Sequence, residues 1–210
     1  MAESKKKQTE QKEAGTGEAS SEKGMGDAGR RTKEGIKESL QGLNEIESRI
    51  VKVSRQTVAD ALSAGGSVLK DGETIGKDVL KGAIAAAEEV GTDAAVATRS
   101  AAKGIVMGLR DVGADTGSAA KITVQSAISG ASEIGADVAS TARRAIDGAL
   151  AATKEIGGSV EEVAKTITTG AIEAFGEVGQ TAIDTGKNLM IGVVDAVKEV
   201  AAAARQKKSQ

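Results

Sequence analysis

The chain has 210 residues, a net charge of −2, and no Trp, Tyr, Cys, His or Pro. Because His and Cys supply most general bases, thiol nucleophiles and soft metal ligands, this composition excludes most enzyme mechanisms. We therefore predict a non-enzymatic protein with no catalytic residues, cofactor, metal or small-molecule substrate. Acids and bases are interspersed, so there is no broad basic surface for phosphates and no nucleic acid partner is expected.

The apolar side chains are mostly small. Ala, Val, Ile and Leu supply nearly all of the 40% apolar content, with a single phenylalanine at position 175 and 27 glycines. A thick globular core is therefore not expected. No uncharged stretch approaches the roughly 20 residues that span a bilayer, and the N-terminus lacks a secretory apolar segment. These features predict an intracellular, cytoplasmic protein, at most peripheral at a membrane or granule surface.

The two ends of the sequence differ from its middle. Residues 1–30 are rich in Lys, Glu, Gly, Ser and Gln and contain almost no aliphatic side chains. Such a segment cannot bury enough apolar surface to offset the loss of chain entropy on ordering. We predict a disordered charged tail there and a short basic tail at residues 205–210, on either side of an apolar region at residues 31–204.

Residues 31–204 repeat with a period of 22 residues. Ile or Val recurs at positions 46, 68, 90, 112, 134, 156, 178 and 200, without insertion or deletion. An acid precedes these positions in every unit except one, where Ser67 stands. Since 22 residues make six turns of about 3.67 residues each, every column returns to the same side of an α-helix. The repeat predicts an all-α protein of elongated amphipathic helices.

Three aliphatic columns fall within one arc of this helix and form the predicted apolar binding face. Its members are Val58, Leu62, Val68, Leu80, Ile84, Val90, Val106, Val112, Val124, Ile128, Ile134, Ile146, Leu150, Ile156, Ile172, Val178, Met190, Val194 and Val200. A basic column borders the arc, where long side chains can reach phosphates at the edge of a lipid surface or flank a helical bundle. Its members are Arg55, Lys77, Arg99, Lys121, Arg143, Lys165 and Lys187.

A glycine follows the Ile/Val column at residues 91, 113, 135, 157 and 179, and Asp or Ser stands two residues later in four of these units. This order is typical of a helix stop followed by an N-cap, although glycine in an apolar arc also permits close approach of two backbones. Two architectures stay open: one long helix kinked once per unit, or helices of roughly 18 residues that turn back on their neighbours.

A second glycine column contains Gly82, Gly104, Gly148, Gly170 and Gly192. On a single helix it lies near the polar side, away from the centre of the apolar arc. We do not predict a simple close-packing notch for it.

Residues 32–36, Thr-Lys-Glu-Gly-Ile, resemble the Lys-Thr-Lys-Glu-Gly-Val core of the synuclein 11-residue repeat. The 22-residue unit over residues 36–200 is similar in kind to those of exchangeable apolipoproteins, perilipins and group 3 late-embryogenesis-abundant proteins. The resemblance implies amphipathic helices that form at lipid or during drying. The chain departs from apolipoproteins in lacking aromatics, and from the late-embryogenesis group in its persistent aliphatic stripe.

These features favour a coat or stabiliser of a lipid or other apolar surface, bound through tandem units that together supply avidity. The first alternative is a soluble structural protein, in which the stripes pack on each other as a bundle, solenoid or self-associated homo-oligomer. The second alternative is a desiccation or stress protectant of the late-embryogenesis-abundant kind.

Overall fold

A computed structural model describes residues 26–39, 46–65, 67–179 and 186–193, and every regular element in these ranges is an α-helix. The prediction of an all-α protein is confirmed for this part of the chain. The helices are α1 (Asp27–Ser39), α2 (Ile46–Ser63), α3 (Val68–Val90), α4 (Ala94–Asp111), α5 (Thr116–Ile134), α6 (Val138–Ile156) and α7 (Val160–Val178). Residues 186–193 are also helical.

Helix α1 begins inside the segment predicted to be a disordered tail. Most of that segment, residues 1–25, lies outside the described residues, as does the basic tail at 205–210, but residues 27–30 form the first turn of α1. Within this turn Gly29 is buried against Gly82 of α3. The prediction of disorder was based on the scarcity of apolar side chains. It could not detect a helix that packs through the backbone of a glycine, which has no side chain.

The helices end at glycines and begin at capping side chains. Gly91, Gly135 and Gly157 follow α3, α5 and α6 in the left-handed conformation, with φ of 68°, 72° and 82°. The carboxylates of Asp115 and Asp137 then accept hydrogen bonds from backbone N–H groups in the first turn of α5 and α6. The chain therefore turns back at these glycines instead of continuing as one long helix. A Cβ built on any of the three would meet no atom within 4 Å, so they do not mark close backbone approach.

Replacing one of these turn glycines should have a measurable cost. Gly135→Ala puts a Cβ into a left-handed residue, so the free energy of unfolding should fall by about 1–2 kcal/mol. Gly135→Asn should lose less, because Asn tolerates this conformation better than other residues with a side chain. Urea unfolding followed by circular dichroism measures both changes. Equal stability of Gly135→Ala and the unmodified protein would contradict the proposed role of this glycine.

Helices two apart along the chain pack side by side and form two layers. One layer contains α1, α3, α5 and α7, and the other contains α2, α4 and α6. Within a layer the helices are parallel: Gly104 lies against Val51, and Gly108, one turn further along α4, lies against Arg55, one turn further along α2. Short connections make consecutive helices antiparallel and place them in opposite layers. The arrangement is therefore a stack of helical hairpins, as in α-solenoids.

Four glycines of the second column, Gly82, Gly104, Gly148 and Gly170, lie at contacts between helices of one layer, whereas a Cβ on Gly192 would meet no atom within 4 Å. A Cβ on Gly104 would lie 2.5 Å from the carbonyl oxygen of Val51, and Gly82 and Gly148 approach the backbone two helices back in the same way. The expectation that this column is not a close-packing notch was wrong. The phase of an isolated helix separates an apolar side from a polar side, whereas in this stack each helix also packs against neighbours along its flanks.

Candidate apolar face and its basic border

The residues predicted as an apolar binding face are largely covered by other helices of the same chain. Nine are buried: Val58, Leu62, Leu80, Ile84, Val106, Val124, Ile128, Ile146 and Met190. Six are half-buried: Val68, Val112, Ile134, Leu150, Ile156 and Val178. Val90 and Ile172 are exposed, and Val194 and Val200 lie outside the described residues. The structure thus brings most of this face together in the hydrophobic core of the chain.

Within the column of Ile84, Ile128 and Ile172, the exposed fraction of each side chain differs according to whether another helix follows in the same layer. Ile84 in α3 and Ile128 in α5 occupy equivalent positions and are 5% and 0% exposed. Ile172 occupies the same position in α7 and is 43% exposed. Helices α3 and α5 are each followed in their layer by another helix, whereas α7 is the last of its layer among α1–α7. The apolar character of the column therefore fits packing against the next helix of the layer.

Three bases of the predicted interfacial column pair with carboxylates two helices further along. The guanidinium of Arg55 donates two hydrogen bonds to Asp111, at 2.6 Å from Nε and 2.8 Å from Nη2. This fork geometry is the strongest form of an arginine–carboxylate pair, and it holds α2 against α4. The corresponding pairs in the other layer are Lys77 with Glu133 at 2.6 Å and Lys121 with Glu173 at 2.7 Å. Acids of one helix therefore meet the basic column of another helix of the same layer.

The other four bases of the column are exposed. Lys165 pairs only loosely, at 3.5 Å, with Glu161 one turn earlier on the same helix. Arg99, Arg143 and Lys187 also lie at the surface. The column therefore divides into bases that join helices of one layer and bases that lie at the surface of the chain.

The carboxylate of Glu133 accepts hydrogen bonds from two ammonium groups. Lys81 lies one turn after Lys77 on α3, and both donate to this carboxylate. The Lys81 side chain is only 2% exposed, so its ammonium group is buried where it contacts the carboxylate of Glu133. Burial raises the pKa of Glu133, but hydrogen bonds from Lys77 and Lys81 outweigh it and hold the pKa below its ordinary value. The sequence prediction omitted Lys81. The four-residue spacing that places two bases on one helix face was the available signal.

The same carboxylate predicts an acid-dependent loss of stability. A carboxylate whose pKa is lower in the folded state than in the unfolded state stabilises the fold at pH values above the unfolded-state pKa, which is about 4.3 for Glu. This stabilisation disappears as the pH falls through the folded-state pKa. Because the Glu133 side chain is 46% exposed, Glu133→Gln should cost only about 1 kcal/mol at pH 7, and less as the pH falls below about 4.

Urea unfolding at pH 7 and at pH 3.5 measures this difference. Glu177→Gln is the matched control, since Glu177 is exposed near the end of α7 and makes no ion pair with any described residue. An equal loss at both pH values for Glu133→Gln would contradict the assigned role of the carboxylate.

The described residues contain no group of three or more acids arranged to hold a metal ion. Among the helices described, none combines the length and the apolar content needed to cross a membrane. The sequence matches no known protein-family model, and comparison with curated proteins finds no similar chain.

Proposed function

We propose that this chain is a non-enzymatic structural repeat protein, in which the apolar stripes pack on each other in two layers of helices. Each 22-residue unit contributes one helix and one connection, and successive units extend the two layers in turn. The observation that carries the proposal is the burial of the stripe: Val58, Val106, Val124 and Ile146 are 0% exposed within a single chain. A face already covered in this way needs no external surface to shield it from water.

Directional contacts support a specific fold over a loose collection of amphipathic helices. Ion pairs join bases to acids 56 residues further along, as for Arg55 with Asp111 and Lys77 with Glu133. Others join residues 52 apart, as for Lys121 with Glu173. These pairs recur in both layers, alongside the glycine contacts between the same helices. Helices two units apart are thus matched in charge and in shape, which fixes their register.

A coat on a lipid or other apolar surface is the second candidate function. The exposure of Val90 and Ile172 favours it, because both residues belong to the predicted stripe. Binding through the whole stripe would require the two layers to separate, so the gain at the surface must exceed the packing lost inside the protein.

Circular dichroism with and without anionic phospholipid vesicles distinguishes the two functions. For the structural protein we expect strong helical signal and a cooperative melt in buffer alone, with no change on adding vesicles. A chain that is largely unfolded in buffer and becomes helical on vesicles would overturn the proposal in favour of the coat. Helix that forms only on drying would overturn it in favour of a stress protectant.

A further inference from the structure

A groove of about 330 Å³ is lined by residues of α2, α4 and α6, the three helices of one layer. Glu47 and Ser48 line it from α2, Arg99, Ser100 and Lys103 from α4, and Gly148 and Glu155 from α6. A volume of this size lies at the lower end of the range that proteins use to hold small molecules. Most of the side chains around it are polar or charged, unlike those between the two layers.

The four charges around the groove are not all paired with each other. Lys103 Nζ lies 2.5 Å from Glu155 Oε2, so these two side chains neutralise one another. Arg99 precedes Glu155 by 56 residues, the same spacing as between Arg55 and Asp111, which form an ion pair. Here, however, the carboxylate of Glu155 pairs with Lys103. Within the described ranges neither Arg99 nor Glu47 makes an ion pair. One guanidinium and one carboxylate therefore face the same groove from neighbouring helices.

A serine next to Arg99 in the sequence also lines the groove. Ser100 is 4% exposed and follows Arg99 on α4, and its hydroxyl has no hydrogen-bond partner among the described residues. By contrast, the hydroxyl of Thr98, two residues earlier, donates to the carbonyl oxygen of Ala94. The hydroxyl of Ser100 is therefore available to donate a hydrogen bond to a ligand in the groove.

We propose that this groove binds a small zwitterionic molecule of the amino-acid class. The anionic group of the ligand pairs with the guanidinium of Arg99, which presents a fork of donors suited to a carboxylate, and accepts a hydrogen bond from Ser100. The ammonium group of the ligand pairs with Glu47. A molecule with both charges satisfies the two unpaired side chains together, whereas one with a single charge leaves the other without a partner. The site is independent of the proposed structural function.

Amide NMR titration of the full chain with L-alanine tests the site. We expect saturable shifts of the Ser100 and Gly148 amides at millimolar ligand concentrations. N-acetyl-L-alanine lacks the ammonium and L-alanine amide lacks the carboxylate, so each should bind at least about tenfold more weakly. Arg99→Gln and Glu47→Gln should each weaken binding of L-alanine to a similar extent. Arg143→Gln is the matched control, an exposed base of the same column on α6, and should leave the dissociation constant unchanged.

Three outcomes would overturn the proposal. The first is the absence of saturable shifts at these amides with L-alanine. The second is equal affinity for L-alanine and N-acetyl-L-alanine, which would indicate a site for a simple anion. The third is unchanged affinity in Arg99→Gln. The amide spectrum of each variant without ligand reports whether its fold is intact, so a loss of binding caused by unfolding is recognised directly.

Discussion

Gly148→Ala should destabilise the protein by about 1–3 kcal/mol, although alanine is the better helix-forming residue. Gly148 lies in the interior of α6, where a Cβ would overlap the carbonyl oxygen of Arg99 in α4. A backbone oxygen cannot rotate away as a side chain can, so α6 would have to move outward from α4. That movement would also weaken the ion pair between Lys103 and Glu155, which joins the same two helices.

Gly176→Ala is the matched control for this variant. Gly176 is also a helical glycine, in α7, but a Cβ at this position would meet no atom within 4 Å. Here only the helix preference acts, so we expect a gain of up to about 1 kcal/mol. Urea unfolding of both variants gives the two changes in free energy. If both substitutions changed the free energy of unfolding in the same direction, close approach between α4 and α6 would not be the reason for a glycine at residue 148.

Ile128→Ala should cost about 2–5 kcal/mol, because Ile128 is completely buried in α5. The removed side-chain atoms leave a cavity that the packed helices can close only in part. In a core where about half of the buried residues are alanine, few side chains are large enough to refill that space. Thermal or urea unfolding measures the loss, and a change below about 1 kcal/mol would contradict the buried position of this residue.

Ile172→Ala provides the comparison within the same column. Ile172 occupies the equivalent position in α7 but is 43% exposed, so its truncation should change stability by only about 0.5 kcal/mol. If the column instead served mainly to contact a lipid surface, the two truncations would weaken vesicle binding about equally and leave stability in buffer almost unchanged. The ratio of the two stability losses therefore tests the proposed function as well as the fold.

The local structure could be predicted from the sequence because local rules determine it. The 22-residue phase indicates helix, the glycine after each Ile or Val indicates a left-handed stop, and the acid two residues later indicates a cap, as observed for Gly135 and Asp137. Each of these features depends on residues within one helical turn of one another. The sequence left open whether the chain turned back, since the helical phase is the same in both architectures.

The packing could not be predicted from the sequence, because it depends on which pairs of helices are in contact. The phase of one helix places the column of Gly104 near a polar side, and only the layered arrangement shows that this side meets α2. Likewise Lys77 and Glu133 lie 56 residues apart, a separation that has no meaning on a single helix. The burial of the apolar face by the chain itself depends on the same unknown, so the sequence could not decide between self-packing and an external surface.

The main contacts in this stack join helices that are one or two positions apart in the chain, and among α1–α7 the main contacts include none that would close the array on itself. Nothing in such an architecture fixes the number of helices. A tandem duplication of residues 94–137 would insert one helix into each layer, and the new contacts would be of the same type as those that already join helices two apart. The protein can therefore change in length by gene duplication without a redesigned core, and its stability should increase with each added pair of helices.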